Sequence, residues 1–128
     1  MAKKKILVID DDPDIIDIVR ASLQKEPYDI VVAYDGQEGV EKARAEKPDG
    51  IILDIMMPNK DGFTACHELK HDPACKQIPV LILTAVGQHF ATTRYAKSQG
   101  LALESDDYVE KPINPQVLVE RVRELLGG

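Results

Sequence analysis

The chain has 128 residues, 44% of them hydrophobic and 30% charged, with a net charge of −6 at pH 7. That balance excludes a disordered chain, and the length suits one domain over 1–128 with an ordinary core. The acidic balance speaks against direct nucleic-acid binding, which needs clustered Lys and Arg. Four apolar residues after Lys3-Lys4-Lys5 are too few for a secretory signal, so a cytoplasmic protein without membrane insertion is expected.

Apolar strand-like runs alternate with helical patterns along the whole chain. "KILVI" at 5–9 is a continuous apolar run, as a strand buried on both faces requires. Asp12-Pro13 then offers an N-cap followed by proline at the first helical position. Ile16, Val19 and Leu23 recur at helical spacing and predict one buried stripe. "YDIVVAY" at 28–34 reads as the second strand. Asp35-Gly36 turns into a charged helix with Val40 and Ala43 inward, ended by Pro48.

"GIILDI" at 50–55 is the third strand, and 62–71 the third helix. "PVLILT" at 79–84 is the fourth strand, entered through Pro79, where a first strand position tolerates the missing N–H. A helix near 88–99, a short strand "DYVE" at 107–110 and a helix from Pro115 to Leu126 complete the pattern. Leu118, Val122 and Leu125 form the stripe of that last helix. Five strands alternating with five helices predict an α/β fold with a parallel sheet and helices on both faces.

Ligands of open parallel sheets bind beyond the carboxyl ends of the strands. Strand one ends in Asp10-Asp11-Asp12, strand three in Asp54, strand four in Thr84, and strand five runs into Lys111. Each has an ordinary explanation. Asp12 is a helix cap, Asp10 and Asp11 are acids near a helix N-terminus, Thr84 is a β-former and Lys111 a surface cation. Their ends converge if strand one lies beside strand three and strand three beside strand four. Two like charges 4 Å apart then repel by about 4 kcal/mol at an effective dielectric near 20. Lys111 offsets one of three carboxylates, and a divalent cation would offset the rest. Carboxylates with water suit Mg²⁺, Mn²⁺ being the alternative. Acids, hydroxyl and lysine together suit phosphoryl chemistry in which a carboxylate attacks.

"ILVIDDDPDI" at 6–15, "LDIMMPNKDG" at 53–62, "LTA" at 83–85 and "DDYVEKP" at 106–112 resemble, in order, the receiver domain of bacterial two-component response regulators. The resemblance covers essentially the whole chain. It implies a flavodoxin-like (βα)5 three-layer sandwich with a parallel sheet of order 2-1-3-4-5. It also implies Mg²⁺-dependent phosphoryl transfer to Asp54, the phosphoacceptor, from a histidine kinase or phosphotransfer protein. Asp10 and Asp11 match the acid pair that organises the metal, Asp11 the more direct ligand and Asp10 acting through water. Met56 would add its backbone carbonyl and Asp54 a carboxylate oxygen. Lys111 matches the lysine that pairs with Asp54 and then with the phosphoryl group, and its bond to Pro112 is expected to be cis. Ala85 would offer its backbone N–H. Thr84 and Tyr108 match the switch pair, which reshapes the face made by the helix near 88–99, strand five and the last helix for a downstream protein. Homodimer formation is left open. Such a domain is a phosphoacceptor that assists its own phosphorylation and dephosphorylation, not an enzyme acting on a separate substrate.

The chain departs from the family between Thr84 and Tyr108, which lie a few residues further apart than usual. Glu104-Ser105 replaces a common Gly-Ala, and Gly100 comes early, which bears on the shape of 86–105 and hence on the partner-facing surface. Met56 and Val86 follow Asp54 and Thr84 by two positions and flank the expected phosphoryl group. Neither side chain can orient an attacking water, so slow self-dephosphorylation is expected.

Three other readings compete. A small aspartyl-phosphate phosphatase wants a second acid where Met56 stands. A flavodoxin-like nucleotide binder wants a Gly- and Ser/Thr-rich phosphate loop, and "DDDPD" repels phosphate without a metal. A phosphorylation-independent interaction module would not need Asp10, Asp11, Thr84 and Lys111 together. His67 and His71, four apart, could ligate a metal, but an exposed helix surface with reduced Cys66 and Cys75 is the expected state.

Overall fold

The computed structural model of the chain describes residues 3–55, 62–85 and 107–127. Among these residues five strands alternate with four helices. They are β1 (Lys4–Ile9), α1 (Pro13–Leu23), β2 (Tyr28–Ala33), α2 (Gly36–Glu46), β3 (Gly50–Asp54), α3 (Gly62–His71), β4 (Val80–Ala85), β5 (Asp107–Lys111) and α4 (Pro115–Leu125). The helix expected near 88–99, and with it the whole of 86–105, lies outside the described residues.

All strand pairs are parallel and the order is β2-β1-β3-β4-β5, the doubly wound arrangement of flavodoxin-like folds. Because successive side chains on a strand point to opposite faces, each central strand feeds two cores. Leu7, Ile9, Ile51, Leu53 and Ile82 pack under α2 and α3 with Val40, Ala43, Ala65 and Leu69. Ile6, Val8, Ile52, Leu81 and Leu83 pack under α1 and α4 with Ile16, Val19, Leu23, Leu118 and Val122. The apolar stripes thus reach the sheet, with Leu125 only half-buried at the last turn of α4.

The helix starts follow their side chains. Asp12, Asp35 and Asn114 accept N–H bonds from the first turns of α1, α2 and α4, and proline opens both α1 and α4. The end of α2 falls just before Pro48, as expected. Lys47, at φ 47°, stops the helix in a left-handed turn whose N–H returns to the Ala43 carbonyl, one residue ahead of Pro48. The cysteines differ from expectation. Cys66 and Cys75 form no disulfide with each other and are buried in the core under α2 and α3. Position 66 falls one residue from the half-buried His67, and burial raises the Cys75 thiol above its ordinary pKa. Small apolar side chains, rather than surface thiols, are what these positions supply.

Candidate functional site

The register of the central strands assembles the site. Ile9 lies opposite Leu53, so the next residues, Asp10 and Asp54, leave neighbouring strands side by side. Both continue the alternation of Ile6, Val8 and Ile52, and their carboxylates therefore share one face of the sheet. Asp10 is fully buried and Asp54 is 5% exposed, whereas Asp11 stands in solvent. Ligand oxygens of Asp10, Asp11 and Asp54 all fall within 4.8 Å of one another.

The cation comes from β5. Ala85 lies opposite Lys111 in the β4–β5 pair, which brings the lysine to the same sheet edge. Its Nζ is 3.2 Å from Asp54 Oδ1 and 3.8 Å from Asp10 Oδ2. The Lys111–Pro112 peptide bond is cis.

Asp10 is divided between two tasks. Its Oδ1 accepts the Asp12 N–H at 2.9 Å, a local turn that the Asp-x-Asp spacing allows and that the capping role of Asp12 hides in the sequence. Its Oδ2 is buried and has no hydrogen-bond partner among the described residues. Burial pushes the Asp10 carboxyl up to about 7. The Asp12 N–H and Lys111 pull it down, and the charges of Asp54 and Asp11 raise it further.

Such an arrangement fits a divalent cation. An orphaned buried carboxylate oxygen, facing two further carboxylates, is an oxygen-only donor set with an unmet electrostatic demand. Asp10, Asp11 and Asp54 are the residues placed to hold Mg²⁺. Met56, the expected carbonyl donor, lies outside the described residues, as does Val86.

Thr84 sits near the end of β4, opposite Glu110, and is 1% exposed. Its Oγ1, like Asp10 Oδ2, has no hydrogen-bond partner among the described residues. Tyr108 lies opposite Ile82 on the edge strand and is 38% exposed, with its ring outward. On α3 the His67 and His71 rings meet, tilted, at 4.3 Å between centroids. No third His, Cys, Asp or Glu joins them as a ligand cluster among the described residues.

A parallel sheet of this order, with acids at the ends of β1 and β3 facing a lysine from β5, is the arrangement of a signalling domain. The family model for the response regulator receiver domain matches residues 6–123. Over 123 residues the chain is 40% identical to the alkaline phosphatase synthesis transcriptional regulatory protein PhoP of Bacillus subtilis. Over 122 residues it is 44% identical to the DNA-binding dual master transcriptional regulator RpaA of a Synechocystis species. These matches take in 96% and 95% of the chain but 48% of each relative, so the chain spans about half the length of the curated relatives it matches. A solved receiver domain of a Pseudomonas aeruginosa sensor histidine kinase, with magnesium coordinated in its active-site cleft, superposes with a TM-score of 0.86. It is 25% identical, with 99% of this chain and 100% of that one covered. The chain belongs to the response regulator receiver domain family of two-component signalling.

Proposed function

We propose that Asp54 is the phosphoacceptor of this receiver domain, taking a phosphoryl group from a phosphohistidine on a histidine kinase or phosphotransfer protein. The observation that carries this reading is the meeting of Asp10, Asp11 and Asp54 within 4.8 Å, with Lys111 3.2 Å from Asp54. An Asp54 carboxylate oxygen attacks phosphorus, a P–O bond forms, the P–N bond breaks and the imidazole leaves with a proton from solvent. Lys111 pairs with Asp54 beforehand and afterwards faces the phosphoryl oxygens. Mg²⁺, when bound by Asp10, Asp11, Asp54 and the Met56 carbonyl, supplies positive charge against those oxygens.

The acyl phosphate adds a group of nearly two negative charges next to Thr84. Its oxygens give the buried Thr84 hydroxyl and the Ala85 N–H an acceptor. The Thr84 movement frees space for the Tyr108 ring to turn inward. A face reshaped this way presents a different surface to a downstream protein. In this reading the domain transmits a phosphoryl signal in the cytoplasm, turns over no separate substrate, and leaves any nucleic-acid contact to other parts of a longer regulator.

The test is incubation with acetyl phosphate and Mg²⁺. One phosphoryl mass should appear, be labile to hydroxylamine, and be absent in Asp54→Asn. A protein that gains no mass at any Mg²⁺ concentration would be a phosphorylation-independent module. Steady turnover of a stable phosphomonoester would make it a phosphatase instead.

A further inference from the structure

Gly62, the first residue of α3, lies directly on the end of the strand that carries Asp54. A Cβ placed on it would sit 2.4 Å from Ile55 Cα, 2.5 Å from the Asp54 carbonyl oxygen and 2.9 Å from the Ile55 carbonyl carbon. All three are backbone atoms, so no flexible side chain can swing aside. The Gly62 N–H donates to the Ile55 carbonyl at 2.8 Å, which fixes the contact. The strand has little freedom to retreat. Asp54 is registered against Leu83 of β4, Leu53 against Ile9 of β1, and the Ile55 N–H donates to the Leu83 carbonyl at 3.2 Å. On the other side, α3 is held to the sheet by buried Ala65, Cys66 and Leu69.

We propose that Gly62 is a positioning residue for the phosphoacceptor: lacking a side chain, it lets α3 seat on the Asp54–Ile55 peptide and sets the Asp54 carboxylate against Lys111 and Asp10. The inference rests on the reading of Asp54 as the phosphoacceptor. Bringing a Cβ from 2.4 Å out to ordinary contact at 3.4 Å needs a displacement of about 1 Å. Reacting groups misplaced by about 1 Å lose on the order of a hundredfold in rate. The opposite end of the same strand behaves differently. A Cβ on Gly50 would meet Leu126 Cδ2 at 2.9 Å and Leu125 Cδ2 at 3.6 Å, both side-chain ends near the C-terminus of α4 that can turn away. Gly50→Ala is therefore a matched control on the strand that holds Asp54, remote from the site.

The experiment compares the whole chain with Gly62→Ala and Gly50→Ala in three measurements. These are direct Mg²⁺ titration, the rate of phosphoryl uptake from acetyl phosphate at saturating Mg²⁺, and the urea midpoint. Gly62→Ala should fold, bind Mg²⁺ roughly tenfold more weakly and take up the phosphoryl group roughly a hundredfold more slowly. Gly50→Ala should stay within about twofold of the parent in both, whatever its urea midpoint. Gly62→Ala matching Gly50→Ala in affinity and rate overturns the proposal. So does a Gly62→Ala chain that fails to fold where Gly50→Ala folds, since the glycine would then serve the fold as a whole. If the parent itself takes up no phosphoryl group, it is the phosphoacceptor reading that fails, and the Mg²⁺ titration alone decides the role of Gly62.

Discussion

Replacing Asp10 by Asn should make the metal-free protein more stable above pH 7, and the size of the gain follows from where the carboxyl sits. Unfolded, the group titrates near 3.8; folded, burial lifts it to about 7. Between these values the native state holds a proton that the unfolded chain has released. Stability therefore falls as pH rises through that window and levels off above it. At about 1.36 kcal/mol for each pH unit, the loss is on the order of 4 kcal/mol, a large part of the stability of a domain this size. Asp10→Asn keeps the side-chain shape and removes the charge, so its stability should not carry this slope. Mg²⁺ should return most of the lost stability to the parent above pH 7 and little to the variant. The assay is the urea midpoint of both proteins at pH 5, 6, 7 and 8, with and without Mg²⁺. Parallel pH profiles for the two proteins, or equal stabilisation of both by Mg²⁺, would refute the assignment of the cost to the buried Asp10 carboxylate.

Two further outcomes are expected. Lys111→Met removes a positive charge 3.2 and 3.8 Å from two of the carboxylates. Mg²⁺ should then bind roughly tenfold more tightly, the size of one like charge a few ångströms away at an effective dielectric between 20 and 80, while phosphoryl uptake slows. Titration showing unchanged or weaker Mg²⁺ binding contradicts this. Met56→Asn places a hydrogen-bonding amide two residues after Asp54, where it can orient water, and should shorten the lifetime of the acyl phosphate by several-fold. The decay of radiolabelled protein checks it, and an unchanged or longer lifetime counts against the sequence argument.

The sheet, its two helical layers and the meeting of Asp10, Asp11, Asp54 and Lys111 were legible because each leaves a periodic or chemical mark. Ile16, Val19 and Leu23 repeat at the helical period. Asp10 and Asp54 each close an apolar run, and Lys111 ends the short fifth strand. Three things left no such mark. Asp10 and Asp11 are adjacent identical residues, yet one is fully buried and the other exposed, a difference decided by strand alternation and by the turn through the Asp12 N–H. Cys66 and Cys75 read as surface residues, whereas tertiary packing buries Cys66 of α3 and Cys75 of the turn after it in one core. Gly62 stood only as the first residue of the third helix, since a backbone contact between residues 55 and 62 has no counterpart in side-chain pattern.

The pairing of Ile9 with Leu53 has a consequence for how this chain can change in length. The same one-residue alternation sorts β1 and β3 between the two cores and sets Asp10 beside Asp54. Deleting or inserting one residue within either strand would exchange the cores and turn one acid to the opposite face in a single step, and sliding the strand would only trade one fault for the other. The reading frame of the core is thus also the reading frame of the site. A change of length is therefore tolerated best in the connections beyond Asp10 and Asp54, where neither the register nor the paired acids are displaced.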